Sequence, residues 1–526
     1  MLKNVTNAIA RIENRLPDWL LFLLLGAISA LALPPVGWWP VLGVTFFVAL
    51  RRLESRGFAT HFHWFKFGFC LGLGYLGAAL YWIGVAFTVD ATAYLWMMPF
   101  AVGGLSGVLA LYWGLAFMLS RWLVSNRRSV QLPLFMALPF ALTLTELLRG
   151  VLFTGFPWAV PGLVAETMGG TMQAASVIGM PGLTFMVLLW ACLPHGFYLY
   201  WKTMPVFRSW LLLLALLLPV HWGWGEFRLI QNPTVYNDKV VVRLVQPNIS
   251  QDDKWRSDNA KIIFEGLMAL SRLQGDLQPT HIIWPESAVP FLLDESRGGL
   301  TQIAGLLGPD HVLITGAIRR NAVDSRTKEQ AYFTSVEVID GGGTVVGTYD
   351  KWRLVPGGEY LPFAAILEPL GFRKVVNLPE SFNAGVGPQS IAIPGAGFAA
   401  PQICYEAIFP QLLPDIAHRP DWIVNVTNDG WFGQSTGPYQ HLAQVRMRSV
   451  EQGLAIARAA NTGISAVFDP LGRLLSHAAL STQGIVDSRL PLSLPPTIFA
   501  RFGLLPAIAI IFLLVAITGI LSRKKK

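Results

Sequence analysis

The chain contains three cysteines, and only Cys404 lies outside its long apolar runs. Cys70 and Cys192 fall inside such runs, where a thiol reads as a small packing group. Cys404 closes the apolar stretch Phe398–Ile403, which reads as a strand, and a helix is expected within the next few residues. A helix N-terminus favours a thiolate, so a lowered thiol pKa is expected there. The competing reading is a buried core cysteine without chemical duty. Two further residues occupy equivalent places: Glu286 follows His281–Trp284, and Lys351 follows Thr344–Tyr349. Strand ends in an α/β sheet share an edge, which would let the three side chains converge. Taken singly, a Glu or a Lys at a loop start is ordinarily solvated surface. As a set they meet one chemical need. The carboxylate takes the thiol proton, the sulfur attacks an acyl carbon, and the ammonium stabilises the oxyanion.

The elements that would position them are short β-branched runs alternating with helical stretches. Strands are expected at Val240–Val245, His281–Trp284, Val312–Ile318, Tyr332–Ile339, Thr344–Tyr349, Ala399–Cys404, Trp422–Val426 and Ser465–Phe468. Helices are expected at Asn259–Gln274, Leu300–Leu307, Ala407–His418 and Pro438–Ala459. Asp340–Gly343 lies between two strands and reads as a hairpin turn; it precedes no helix, so a phosphate-binding loop is a poor reading. The stretch reads as a single α/β domain.

Around this domain the composition changes character. Charged residues make up 14% of the 526 residues and hydrophobic ones 53%, with 19 tryptophans. A soluble chain carries about 25% charged residues, so much of this one faces lipid. Candidate spans are Trp19–Leu33, Trp38–Leu50, Phe62–Phe87, Tyr94–Leu119, Leu132–Leu148, Gln173–Tyr200, Trp210–Trp224 and Phe502–Leu521, about eight in all. The first follows Lys3, Arg11 and Arg15 and ends at Pro34-Pro35 without a small-residue cleavage site, so it reads as a retained span. The expected organisation is a bundle at residues 1–225 with seven spans, the α/β domain at 226–500, and a last span with a basic tail at 501–526.

Alternate connections hold Arg51/Arg52/Arg56, Arg121/Arg127/Arg128, Lys202/Arg208 and the Arg523–Lys526 tail, while the intervening ones hold almost no basic residue. The positive-inside rule then places both termini in the cytoplasm and the domain on the far side. The net charge of +8 thus reads as topology signals rather than a nucleic-acid surface. Gly68/Gly72 and Gly103/Gly107, each four apart, read as helix packing. Glu146 and Arg149 read as an ion pair or interfacial snorkelling, and His61/His63 lack a third metal ligand.

Taken together, Trp284-Pro-Glu-Ser287, Tyr349-Asp-Lys-Trp-Arg-Leu-Val-Pro356 with Gly358-Glu359, and Ile403-Cys-Tyr-Glu406 resemble the Glu–Lys–Cys motifs of the nitrilase superfamily. The order of spans and domain, with Asn428–Gly433, Gly437-Pro438, Gln440-His441, Arg446–Arg448 and Asn461–Gly463, is similar to the apolipoprotein N-acyltransferase family, its membrane-embedded branch. The resemblance implies an αββα sandwich, with Glu286 as base, Lys351 as oxyanion cation and Cys404 as nucleophile. It further implies that Glu359 positions the lysine, that Tyr405 and Glu406 support the oxyanion through their backbone N–H groups, and that Trp255, in the loop Asn248–Ser257, governs substrate access. Here Val355-Pro-Gly-Gly-Glu359 departs from the family, which often has a bulky residue before Gly-Glu. The apolar segments Ala288–Leu293 and Tyr360–Leu367 suit either lipid docking or packing within the domain.

The implied activity carries an acyl chain from a phospholipid, through a Cys404 thioester, to the N-terminal amine of a diacylated apolipoprotein. It requires the bilayer but no metal or other cofactor. A monomer in a bacterial inner membrane is expected, with the domain periplasmic. The alternative is a membrane-tethered amidase or nitrilase with water as acceptor. A transporter with an inactive domain is a second rival, disfavoured because Glu286, Lys351 and Cys404 are intact and no broken-helix pair is evident in the sequence.

Overall fold

The computed structural model describes residues 16–57, 60–88, 91–125, 132–321, 330–361, 364–370, 382–410, 413 and 418–523. The basic residues Lys3, Arg11, Arg15, Arg127, Arg128 and 524–526 lie outside them. The chain divides into two units. One comprises residues 1–81, 98–232 and 502–526, the other Trp82–Met97 and Pro233–Arg501.

The first unit is helical. Among the described residues, Leu95–Ser125, Gly169–Tyr200, Pro205–Gln231 and Leu505–Arg523 are long and apolar enough to cross a membrane. Helices also cover Asp18–Ser29, Pro40–Ser55 and Leu134–Arg149. The expected single span Phe62–Phe87 is broken. Its helix ends at Ala79, Leu80 leaves helical geometry at φ −110° and ψ 9°, and a 3-10 segment Tyr81–Thr88 turns away by 47°. Trp82 belongs to the other unit, where its indole N–H donates to Gln440 Oε1 at 3.3 Å.

Gly68 and Gly72 do serve packing, since a Cβ there would meet Phe117 at 2.6 Å and Trp113 at 2.7 Å. Gly103 and Gly107 face open space instead. Glu146 and Arg149 form a buried ion pair, as one of the two readings expected. Trp113 donates to Glu146 Oε1 at 2.9 Å, and Arg149 donates to the Trp158 carbonyl at 2.9 Å.

The second unit is built on two six-stranded sheets. Its strands are β1 (Tyr236–Gln246), β2 (His281–Trp284), β3 (Val312–Arg320), β4 (Tyr332–Ile339), β5 (Val345–Asp350), β6 (Ile391–Ile393), β7 (Gly397–Ile403), β8 (Trp422–Thr427), β9 (Ala455–Ala460), β10 (Ala466–Phe468), β11 (Leu474–His477) and β12 (Gly484–Pro491). One sheet runs β12-β1-β2-β3-β4-β5 and the other β11-β10-β9-β8-β7-β6. Alternation along each strand sends one set of side chains inward. Val242, Leu244, Ile283, Ile314, Val336 and Val338 thereby share a core with Ala399, Ile403, Val424, Val426 and Ala457.

The outer faces are covered by helices. Ile263, Phe264 and Leu267 of helix Ala260–Ser271 pack on Ile282, Trp284 and Leu313. Val445 of helix Gly437–Gln452 packs on Ile423 and Ile456. The layers are therefore αββα.

The expected helix Pro438–Ala459 stops early. Gly453 adopts φ +67° as its left-handed cap, and Ala455–Ala460 forms the fully buried strand β9. The expected helix Ala407–His418 is replaced at its start by a 3-10 turn, Cys404–Ile408; residues 411, 412 and 414–417 lie outside the described residues.

Candidate active site

Glu286, Lys351 and Cys404 each follow the carboxyl end of a strand: β2, β5 and β7. They do not share one sheet edge. β2 and β5 belong to one sheet and β7 to the facing one, so the site forms where the two sheets end together.

The Lys351 ammonium is buried, with Nζ 3.3 Å from Glu286 Oε1 and 2.9 Å from Glu359 Oε1. Burial acts to lower its pKa, but the Glu359 and Glu286 carboxylates outweigh this and hold it well above the usual lysine range. Glu359 is itself fixed, because Oε2 accepts the Val355 amide at 2.7 Å. Glu286 sits at a tight chain crossing. A Cβ at Gly316 on β3 would stand 2.5 Å from the Glu286 Cα, and Ser287 takes φ +45°.

Cys404 is buried, and its φ is +48°, a conformation uncommon outside glycine. Its thiol lies within electrostatic range of Glu286 and Lys351. The expected lowering of the thiol pKa is not found. Burial, then Glu286, push it well above the usual thiol range, and Lys351 only partly offsets them. The five-residue 3-10 turn is no substitute for a full helix dipole. A protonated thiol beside a carboxylate can lose its proton to that carboxylate as the sulfur attacks.

Glu406 does more than the sequence suggested. Its carboxylate is fully buried and accepts four donors: the Tyr349 hydroxyl, Trp352 N and Ile403 N, each at 2.8 Å, and Arg353 N at 3.3 Å. Burial pushes its pKa up to about 7 against those donors. Tyr405 rests edge-on against Phe409.

Sequence reasoning missed Lys254. It is buried and donates from Nζ to the Glu286 carbonyl at 3.0 Å. Burial lowers its pKa to about 8, opposed by Glu286 and Cys404. A lysine within a polar loop reads as surface, and only its place next to Trp255 offered a signal. Trp255 is 37% exposed, with its ring 5.7 Å from the Lys254 ammonium.

Ala288, Val289 and Leu293 are buried in the domain, so this segment packs rather than docks on lipid. In Tyr360–Leu367, residues 362 and 363 and the side chains of 366 and 367 lie outside the described residues. No three His, Cys, Asp or Glu side chains gather as a metal site among the described residues.

The sandwich and this strand-end cluster define a class, and the comparisons agree. The model of the carbon-nitrogen hydrolase family matches residues 242–494, and that of the apolipoprotein N-acyltransferase N-terminal domain matches residues 25–193. The chain thus joins a carbon-nitrogen hydrolase domain to a helical membrane unit. The apolipoprotein N-acyltransferase of Rhodopseudomonas palustris is 38% identical over 96% of this chain and 94% of its own. That of Bradyrhizobium diazoefficiens is 40% identical over 93% and 92%. The chain belongs to the apolipoprotein N-acyltransferase family. An amidase from Nesterenkonia sp. is similar at a TM-score of 0.35 and 15% identity, over 50% of this chain and 94% of that one, a likeness too slight to carry weight.

Proposed function

We propose that the protein transfers an acyl chain from a membrane phospholipid, through a Cys404 thioester, to the α-amine of the diacylglyceryl cysteine of an apolipoprotein. The supporting observation is that relatives named for this activity match across both the helical unit and the α/β unit. That breadth counts against a tethered amidase, which needs only the second unit.

In the first half-reaction Sγ bonds the ester carbonyl carbon while Glu286 takes the thiol proton. Lys351, oriented by Glu359, stabilises the oxyanion with help from the backbone N–H groups of Tyr405 and Glu406. The carbon–oxygen bond breaks, and Glu286 returns the proton to the departing lysophospholipid oxygen. In the second half-reaction the acceptor amine attacks the thioester. Its proton passes through Glu286 to Sγ as the carbon–sulfur bond breaks. Trp255, partly exposed beside Lys254, governs access.

Both substrates are membrane-anchored, so spans that hold the domain at the bilayer raise their effective concentration. In this reading residues 1–225 supply seven spans and 501–526 the last of eight, in a bacterial inner membrane. Both termini are cytoplasmic, residues 226–500 are periplasmic, and the working form is a monomer.

The test is intact mass spectrometry of purified protein incubated with phospholipid. An acyl adduct should form on the wild type, be absent from Cys404→Ala, and disappear when a diacylated lipopeptide is added. Normal acylation of Cys404→Ala overturns the reading. Acylation followed by hydrolysis, without transfer to the amine, favours the amidase.

A further inference from the structure

Behind the nucleophile lies a buried polar cluster to which the mechanism above gives no task. His441, on helix Gly437–Gln452, places Nε2 3.0 Å from the Cys404 carbonyl oxygen and Nδ1 2.8 Å from Asp429 Oδ1. Asp429 Oδ2 accepts Arg458 at 2.6 Å, and Arg458 also donates to Asn425 Oδ1 at 2.6 Å. His441, Asp429 and Arg458 are all fully buried. Burial opposes the charge on Asp429, but Arg458 and His441 outweigh it and hold its pKa at about 2.

A peptide carbonyl only accepts, so Nε2 of the ring meets it as an N–H donor. Arg458 also stands 3.4 Å from Nδ1, a longer contact than that to the carboxylate. The ring is further confined by Phe432, whose centroid lies 6.1 Å away.

The bonded carbonyl belongs to a residue in the left-handed region, at φ +48°. Such a conformation in a side chain other than glycine persists only where the surroundings over-determine it. Turning Cys404 back to an ordinary φ would swing its carbonyl away from His441 and its Sγ away from Glu286 and Lys351. We propose that His441 is a positioning residue for the nucleophile: backed by Asp429 and Arg458, it donates to the Cys404 carbonyl and so fixes the backbone conformation that aims Sγ at the acyl carbon. The substrate rests on the acyl-transfer reading, but the geometry does not.

The experiment compares wild type, His441→Ala and His441→Gln as full chains in detergent micelles. It measures the single-turnover rate of Cys404 acylation by phosphatidylethanolamine, the KM for that lipid, and the rate of Cys404 alkylation by iodoacetamide. A misplacement of about an ångström costs roughly 100-fold, so His441→Ala should acylate about 10- to 100-fold more slowly with KM unchanged. Gln keeps an N–H that reaches the carbonyl, so it should recover much of the loss, and alkylation should follow the same order.

Acylation of His441→Ala within about twofold of wild type overturns the proposal, since positioning is worth far more. So does equal impairment of both variants, or a KM that rises with the loss, since either marks a merely structural role. If phosphatidylethanolamine leaves wild type unacylated while alkylation still separates the variants, the acyl-transfer reading fails and the positioning role stands.

Discussion

The Glu406 carboxylate accepts the Trp352 amide at 2.8 Å, tying the residue two past Cys404 to the residue one past Lys351. The same carboxylate accepts Ile403 N at 2.8 Å and the Tyr349 hydroxyl at 2.8 Å, so it joins the ends of β7 and β5 across the two sheets. One buried side chain thus sets the separation of thiol and ammonium. Glu406→Gln turns an acceptor into an NH₂ group facing backbone donors. It should destabilise the domain by about 1.5–3 kcal/mol, the range for a hydrogen bond to a charged group. Thioester formation should slow with little change in KM for phospholipid. A variant as stable and as fast as wild type would show that the link is incidental.

Lys351 and Glu359 should differ in the size of their effects. Lys351 stands between two carboxylates, at 2.9 Å and 3.3 Å, and would be the cation facing the oxyanion. Lys351→Ala should slow acylation by roughly 3–4 kcal/mol, comparable with other lost oxyanion donors. Glu359→Ala removes a group that in this mechanism would act through the lysine, so its loss should be smaller, about 10-fold or 1.4 kcal/mol. Single-turnover acyl mass on the protein measures both. The reverse order would exclude Lys351 as the oxyanion cation.

Orientation in the membrane can be tested separately. In the proposed orientation, drawn from the Lys and Arg asymmetry, the C-terminus would be cytoplasmic and the Asp238–Asp253 stretch outside the cytoplasm. Reporter fusions at the C-terminus and within that stretch should give opposite signals. Cytoplasmic signals from both would sink the assignment.

What the sequence disclosed depended on how local each signal was. β2, β4 and the end of β7 were legible because β-branched runs such as His281–Trp284 stop at a sharp change of residue type. β9 was not, since Ala455–Ala460 carries an alanine-rich pattern with high helix propensity, and burial on both faces overrode it. Gly453 was the one available warning. Residues 62–87 look like one span because hydropathy does not register the break at Leu80. Lys254 and the contacts of His441 were opaque for another reason. A buried polar side chain is defined by partners distant in sequence, Glu286 for the first and Asp429 and Cys404 for the second. The raised pKa of Cys404 is illegible for the same reason, because burial and Glu286 are tertiary effects that a strand-then-turn pattern does not encode.

Glu337, on the outer face of β4, gives the last prediction and concerns stability with pH. It is 1% exposed and its Oε2 has no hydrogen-bond partner among the described residues. Burial, then Asp294, push its pKa up to about 7 from an ordinary 4.5; Arg319 opposes the shift and Asp350 adds to it. The fold therefore binds a proton that the unfolded chain releases between pH 4.5 and about 7, so this residue's contribution to stability falls as pH rises through that window. Below pH 4.5 the group is protonated in both states and the penalty vanishes. Glu337→Gln retains the shape without the charge. At pH 8 it should stabilise the domain by up to ~3 kcal/mol, at about 1.4 kcal/mol per pKa unit, and at pH 4 by almost nothing. Thermal unfolding of both proteins across this range measures the difference. A stabilisation that does not change with pH would mean that the buried carboxylate is not its cause.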